Sequence, residues 1–213
     1  MGFSFPGVTD IGLFVTAGLL LNITLGVDLL FITSRSAAQG RKAGVVAALG
    51  IGTGCLFHVL AASLGLSVIL LSSVLVFSIV KYLGAAYLLY LGITTLMSLQ
   101  DPALNPVRVY SELASAKIFR QGVLVNALNP KVALFFMALL PQFVSPEASS
   151  PNLVFLFLGL LFTVNGTIVN IFFALFTSMT SRHLRQVTLL PRILKTLVGA
   201  LFVTLSVRLA LTP

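Results

Sequence analysis

The sequence predicts an all-α, polytopic membrane protein with six transmembrane helices, and three observations carry that expectation. Of its 213 residues, 58% are hydrophobic and only 8% are charged, against roughly a quarter charged in an ordinary soluble domain. Six apolar stretches, at about 11–33, 43–65, 73–98, 119–144, 153–179 and 189–211, each supply the roughly 20 helical residues that cross a bilayer. The basic residues behind the net charge of +8 fall in alternate short connections between those stretches, which is a signal of membrane topology and not of nucleic-acid binding.

The connections fix an orientation. The first holds Arg35, Arg41 and Lys42, the third Arg108, Lys117 and Arg120, and the fifth Arg182, Arg185 and Arg192, while the second and fourth hold no Lys or Arg. The positive-inside rule puts the three basic connections in the cytoplasm and both termini in the periplasm of a bacterial inner membrane. The second connection, Gly65 to Ser73, carries no charge and reads as a tight hairpin through its glycine and serines. The longest, from about Leu99 to Ile118, contains the turn signals Asp101-Pro102 and Asn105-Pro106 and is too short for a folded unit. Residues 1–213 therefore read as a single transmembrane transporter domain. No charged n-region precedes the first apolar run, whose first following basic residue is Arg35, so no secretory signal peptide is expected. Trp is absent, leaving Tyr82, Tyr87, Tyr90, Tyr110 and some of the 17 Phe to meet the lipid interface. The lone cysteine, Cys55, excludes an intramolecular disulfide and a cysteine metal cluster, and no cofactor is implied.

The stretch Asn126-Ala-Leu-Asn-Pro-Lys131 puts two amides, a proline and a positive charge inside an apolar segment. Pro130 lacks an N–H and clashes with the preceding turn, so the fourth helix should break or kink there. At membrane depth, irregular backbone survives where it is buried in protein or lines a wet cavity. Lys131 would follow the break on the first turn of a half-helix, whose N-terminus favours an anion. Asp28 is the only carboxylate inside an expected span, about 9 Å from the cytoplasmic end if the first helix stops near Ser34. Thr24 and Gly26 precede it, and Gly26 lets the backbone loosen. Burial and a nearby cation act oppositely on a carboxyl's proton affinity, so Asp28 could exchange protons. Asp28 and Lys131 would together suit a zwitterion, or would neutralise each other as an ion pair. Asn126 and Asn129 could bind substrate directly or hold the opened backbone.

The remaining inventory is plainer. Lys81 is placed to snorkel outward or to pair with Asp28. Gly44, Gly50, Gly52 and Gly54 flatten one helix face for close packing, and the same faces would suit a homodimer. His58 could relay protons or act as an interhelical donor. Thr163, Gly166, Thr167 and Asn170 share a face of the fifth segment, to line a cavity or to bond between helices. An internal repeat is also visible. Asn22-Ile-Thr-Leu-Gly-Val-Asp28-Leu-Leu-Phe31 resembles Asn126 to Phe135 with one deletion, and Ile79 to Ala85 resembles Ile193 to Ala200 with one insertion. With three spans per half, the halves would be inverted, as in many secondary transporters. Paired catalytic carboxylates, a Gly-x-Ser-x-Gly elbow, a phosphate-binding Gly-x-x-x-x-Gly-Lys-Ser/Thr loop and His-Glu-x-x-His are all missing from the sequence. An enzyme is therefore not expected, and transport of an organic solute on a gradient is. A non-transporting accessory membrane protein, binding a partner through its glycine faces, is the alternative.

Phe119-Arg-Gln-Gly122, Asn126-x-x-Asn129-Pro130-Lys131, Ala133-Leu-Phe135-Phe136 and Leu140-Pro141-Gln142-Phe143 closely resemble the fourth-segment signature of the LysE/RhtB family of amino-acid exporters. Gln39-Gly40-Arg41-x-Ala43-Gly44, Gly50, Gly54, His58 and Gly84-Ala-Ala-Tyr87-Leu-Leu-Tyr90-Leu-Gly92 add to it. The resemblance implies a secondary exporter of amino acids or related zwitterions, driven by proton antiport, working among membrane lipids and without nucleic acid. It also brings forward Asp28 and the Asn-Pro-Lys element as functional positions. The family's first-segment motif is typically Thr-Pro-Gly-Pro-Asp, whereas this chain reads Thr24-Leu25-Gly26-Val27-Asp28. Without those prolines the first helix is expected to be more regular and to open only with help from its neighbours.

Overall fold

A computed structural model describes residues 5–24, 26–66, 74–97 and 112–180, together with 196, 199–200, 203–204, 206–207 and 210–211. Among them, six α-helices run in order: α1 Ile11–Ile23, α2 Val27–Ala61, α3 Val74–Met97, α4 Ser115–Ala127, α5 Pro130–Leu139 and α6 Pro151–Thr180. A π-helical turn, Ala62–Leu66, extends α2, and a 3-10 turn, Leu140–Phe143, extends α5. The described residues between 196 and 211 are helical where the sixth span was expected. The hairpin expected across Gly65 to Ser73 falls outside the described residues from 67 onward. So do the connection bearing Arg108, the one bearing Arg182, Arg185 and Arg192, and the side chains of Lys81 and Tyr87.

The first basic connection is not a loop. Residues 27–39 continue as helix past Ser34, and α2 turns at a single residue, Gly40, whose φ of 81° suits a residue without a Cβ. Ser36 and Gly44 would be about 12 Å apart along a straight helix. A Cβ on Gly44 would instead lie 2.6 Å from the Ser36 Cβ. The chain therefore folds back at Gly40, making α2 a hairpin of two limbs. The first limb completes the span begun by α1, and the second forms the next span. Because the first limb reaches Gln39, Asp28 stands about 18 Å from the turn at 1.5 Å per residue, twice the expected depth.

Helices meet through glycines, which suits a bilayer, where packing between helices gains little from burying apolar groups. A Cβ on Gly122 would lie 2.9 Å from Ala47 O and 3.1 Å from Gly50 Cα, so α2 and α4 touch backbone to backbone. Gly44 packs on Ser36 and Ala174, and Gly52 on Thr167, which brings α6 against α2. The expected packing role of these glycines is what the structure displays. One core gathers Ile32, Ala43, Ala47, Ile51, Ile118 and Ala174, and the other is rich in aromatic rings, including Phe14, Phe135, Phe136, Phe155 and Phe162. Outside, Leu30, Phe57, Leu124, Leu128, Ile168, Phe172 and Met179 are exposed, an apolar exterior of the kind a bilayer covers.

Glycines also meet residues from the other half of the chain. Asn22 of α1 faces Gly166 of α6, and Asn126 of α4 faces Gly54 of α2, so each aligned asparagine of the sequence repeat meets a glycine from the other half. Gly92 of α3 and Gly199 of the last segment face each other, each added Cβ lying 3.0 Å from the other's carbonyl oxygen.

Candidate functional site

The fourth span breaks where proline dictates. α4 ends at Ala127, Asn129 adopts extended backbone, and Pro130 opens α5 at its first position, where the missing N–H costs nothing. The two half-helices meet at 45°. Asn129 caps α5, its side-chain Oδ1 accepting from Lys131 N at 2.9 Å. At the end of α4, the Asn126 carbonyl oxygen accepts from His58 Nε2 at 2.9 Å. His58 thus acts as an interhelical donor, with its proton on Nε2.

The first span breaks as well, without prolines. α1 stops at Ile23, Thr24 turns to φ −65°, ψ 127°, and Gly26 is extended before α2 begins at Val27. The more regular first helix expected from the loss of both prolines is not what forms. The reason lies in Lys131, whose Nζ donates to Leu21 O at 2.9 Å and to Thr24 O at 3.1 Å. Carbonyls at a helix C-terminus lack intrahelical donors and carry partial negative charge, so an ammonium there stabilises the open end. Gly26 lies beside it, and a Cβ at that position would sit 3.5 Å from Nζ, in ordinary contact.

Each break completes the other. Lys131 of the fourth span holds the end of α1, and the fourth span's two amides hold the start of α2: Asn126 Nδ2 and Asn129 Nδ2 each donate to Asp28 Oδ2 at 2.9 Å. Lys131 spends its ammonium on carbonyls and not on the carboxylate, so the simple ion pair is not what joins them. Among the described residues, Asp28 Oδ1 is buried with no hydrogen-bond partner. An ammonium has three donors, and two of those on Lys131 are taken.

The structure brings together all six residues singled out in the sequence: Thr24, Gly26, Asp28, Asn126, Asn129 and Lys131. Thr24 contributes its carbonyl, its hydroxyl being bonded back to Leu20 O. All of these except Asn126 line a cavity of about 20 Å³, together with Leu21, Asn22, Leu29, Val132 and Asn170. Asn170 was legible as part of a polar face. The apolar wall was not, because Leu21, Leu29 and Val132 look like any other residues of an apolar run. Thr163 of the same face bonds to Gly159 O and Cys55 Sγ, a packing role.

Contacts tie the helices together on either side of the cavity. Toward the turn at Gly40, Ile32 packs on Ile118, Arg35 Nη2 donates to Gln121 Oε1 at 3.1 Å, and Gln39 Nε2 donates to Leu113 O at 3.0 Å. Toward the N-terminus, Phe14 and Phe143 meet edge to face with centroids 5.2 Å apart, and Thr9 N donates to Phe143 O at 2.9 Å.

The family described as LysE type translocator matches residues 19–212. The chain is 32% identical to an uncharacterised membrane protein of Pseudomonas aeruginosa over 96% of each chain. It is 28% identical to a leucine efflux protein of Klebsiella pneumoniae over 98% of each chain. With the membrane protein YrhP of Bacillus subtilis it shares 36% identity over 62% of this chain and 66% of that one. No solved structure matches.

Proposed function

Because the chain belongs to the LysE type translocator family, we propose that it is a secondary active exporter of zwitterionic amino acids, working by proton antiport from a site between the first and fourth spans. The observation that carries this reading is the pairing, in one cavity at two facing helix breaks, of a cation and a carboxylate oxygen without a partner among the described residues: Lys131 Nζ and Asp28 Oδ1. A substrate ammonium would go to Asp28 and a substrate carboxylate to the remaining N–H of Lys131. Leu21, Leu29 and Val132 would receive an apolar side chain, which agrees with relatives named leucine efflux protein.

The coupling follows from electrostatics. An isolated carboxylate at membrane depth is costly, so Asp28 is stable with a substrate ammonium or with a proton, and least stable with neither. Substrate leaves with Asp28 neutralised, and the unloaded protein returns protonated, which is antiport from one shared acid. The cavity holds about 20 Å³, room for about one water by a threshold near 10–15 Å³. Loading a solute therefore requires the cavity to widen, and in this reading transport is alternate parting of the contacts on its two sides. The chain acts as one domain of the inner membrane, with both termini in the periplasm.

Counterflow tests this. Proteoliposomes preloaded with an unlabelled amino acid should accumulate the same labelled one, with leucine and other apolar amino acids leading a panel of twenty or so. If no amino acid exchanges, the reading fails.

A further inference from the structure

The Lys131 ammonium sits in a place of a particular kind. Its two acceptors, at 2.9 and 3.1 Å, are Leu21 O in the last turn of α1 and Thr24 O just past its end. Across the break stands the Asp28 carboxylate, whose Oδ1 has no hydrogen-bond partner among the described residues. Carbonyls of a half-helix end with a carboxylate beside them are the hard oxygen donors with which transporters hold an alkali cation. Here the charge at that place comes from the chain itself.

We propose that the end of α1 is a monovalent-cation site occupied by a tethered cation: Lys131 stands where a dissolved Na⁺ or K⁺ would otherwise bind. The break in the first span then needs no proline and no dissolved ion, because the fourth span delivers the charge that keeps it open. A cation fixed by a covalent stem cannot leave with the cargo, so an alkali gradient has no purchase on the cycle and the proton is left as coupling ion. The fixed charge also explains why Asp28 is held by two amides and not by the lysine: the ammonium is already committed to α1. This inference shares its cavity with the proposed export site, but its test involves no transport, so the two can fail separately.

Thermal unfolding of the purified full chain in detergent, with choline chloride replaced stepwise by NaCl or KCl at constant ionic strength, reads the site directly. The unsubstituted chain should be indifferent to the exchange. Lys131→Ala should gain a saturable rise in Tm, roughly 3–6 °C at a tenfold excess of cation over its dissociation constant. Asp28→Asn in that background should remove the rise, and Lys131→Arg should be as indifferent as the parent. Lys131→Gln, which leaves more of the stem in place, is the second variant where the alanine protein is not recovered folded. Indifference of both Lys131→Ala and Lys131→Gln to both cations, failure of both to fold in either salt, or an equal rise in the unsubstituted chain would each overturn the proposal. A cation response without amino-acid counterflow would keep this inference and sink the export reading, and the opposite pattern would do the reverse.

Discussion

Replacing Asn129 by alanine should destabilise the chain by about 3 kcal/mol, and the figure can be assembled from two contacts. The Asn129 Oδ1 cap on Lys131 N is the first turn of α5, and loss of such a cap costs about 1 kcal/mol. The Asn129 Nδ2 bond to Asp28 Oδ2 is partly buried, and its loss leaves a partly buried carboxyl oxygen short of a donor, which costs roughly 1–3 kcal/mol. For a chain of this length, about 3 kcal/mol corresponds to a fall in Tm of roughly 6–12 °C. Asn126→Ala is the internal control. Asn126 and Asn129 are both 3% exposed and both donate to Asp28 Oδ2, but only Asn129 caps a helix. Asn126→Ala should therefore cost about 1 kcal/mol less, and Asn129→Ser, which can cap but is shorter, should recover about that amount. Thermal unfolding of the three purified variants measures both differences. The reasoning is refuted if Asn129→Ala stays within about 0.5 kcal/mol of the parent, as surface changes do, or if Asn129→Ser is no better than alanine.

Other perturbations follow from the same geometry. Asp28→Asn should abolish gradient-driven export while the protein still folds; an unchanged efflux rate would remove Asp28 from the coupling. A Cβ at Gly54 would lie 2.9 Å from Asn126 Cβ and 3.1 Å from Ala127 N, backbone-anchored neighbours that cannot yield, so Gly54→Val should cost about 3 kcal/mol as overpacking does. Gly12→Ala meets nothing within 4 Å and should be neutral or stabilise α1 by up to about 1 kcal/mol, and a melting comparison of the two glycine variants checks the assignment of each. His58→Ala removes the donor to Asn126 O and should lower stability by about 1 kcal/mol; a loss of export with Tm unchanged would instead make His58 part of the proton path.

What could be read from the sequence followed what single residues impose on their own backbone. Pro130 breaks the fourth span through its ring and missing N–H, and Asn129 caps the next helix with its own side chain, so both were visible locally. The break at Thr24 to Gly26 was not, because its cause is Lys131, 107 residues from Thr24 in the chain. Arg35 misled in the other direction: a basic residue between apolar runs reads as loop, yet this one is 5% exposed on a helix, bonded to Gln121 and 5.7 Å above the Phe31 ring. The turn belongs to Gly40, which sequence alone does not separate from the glycines that serve packing. Asp28 stood out as a lone acid in an apolar run, whereas Leu21, Leu29 and Val132 acquire a role only through what the folded chain sets beside them.

The central claim is that amino acid and proton exchange through Asp28, and it is tested most directly by following both in the same vesicles. Proteoliposomes loaded with labelled leucine and a pH-sensitive dye would report efflux and internal pH together. An acid exterior should accelerate efflux, with the interior acidifying in step, and Asp28→Asn should show neither. Leucine efflux that proceeds at the same rate with and without the pH gradient, with no change in internal pH, would contradict the account.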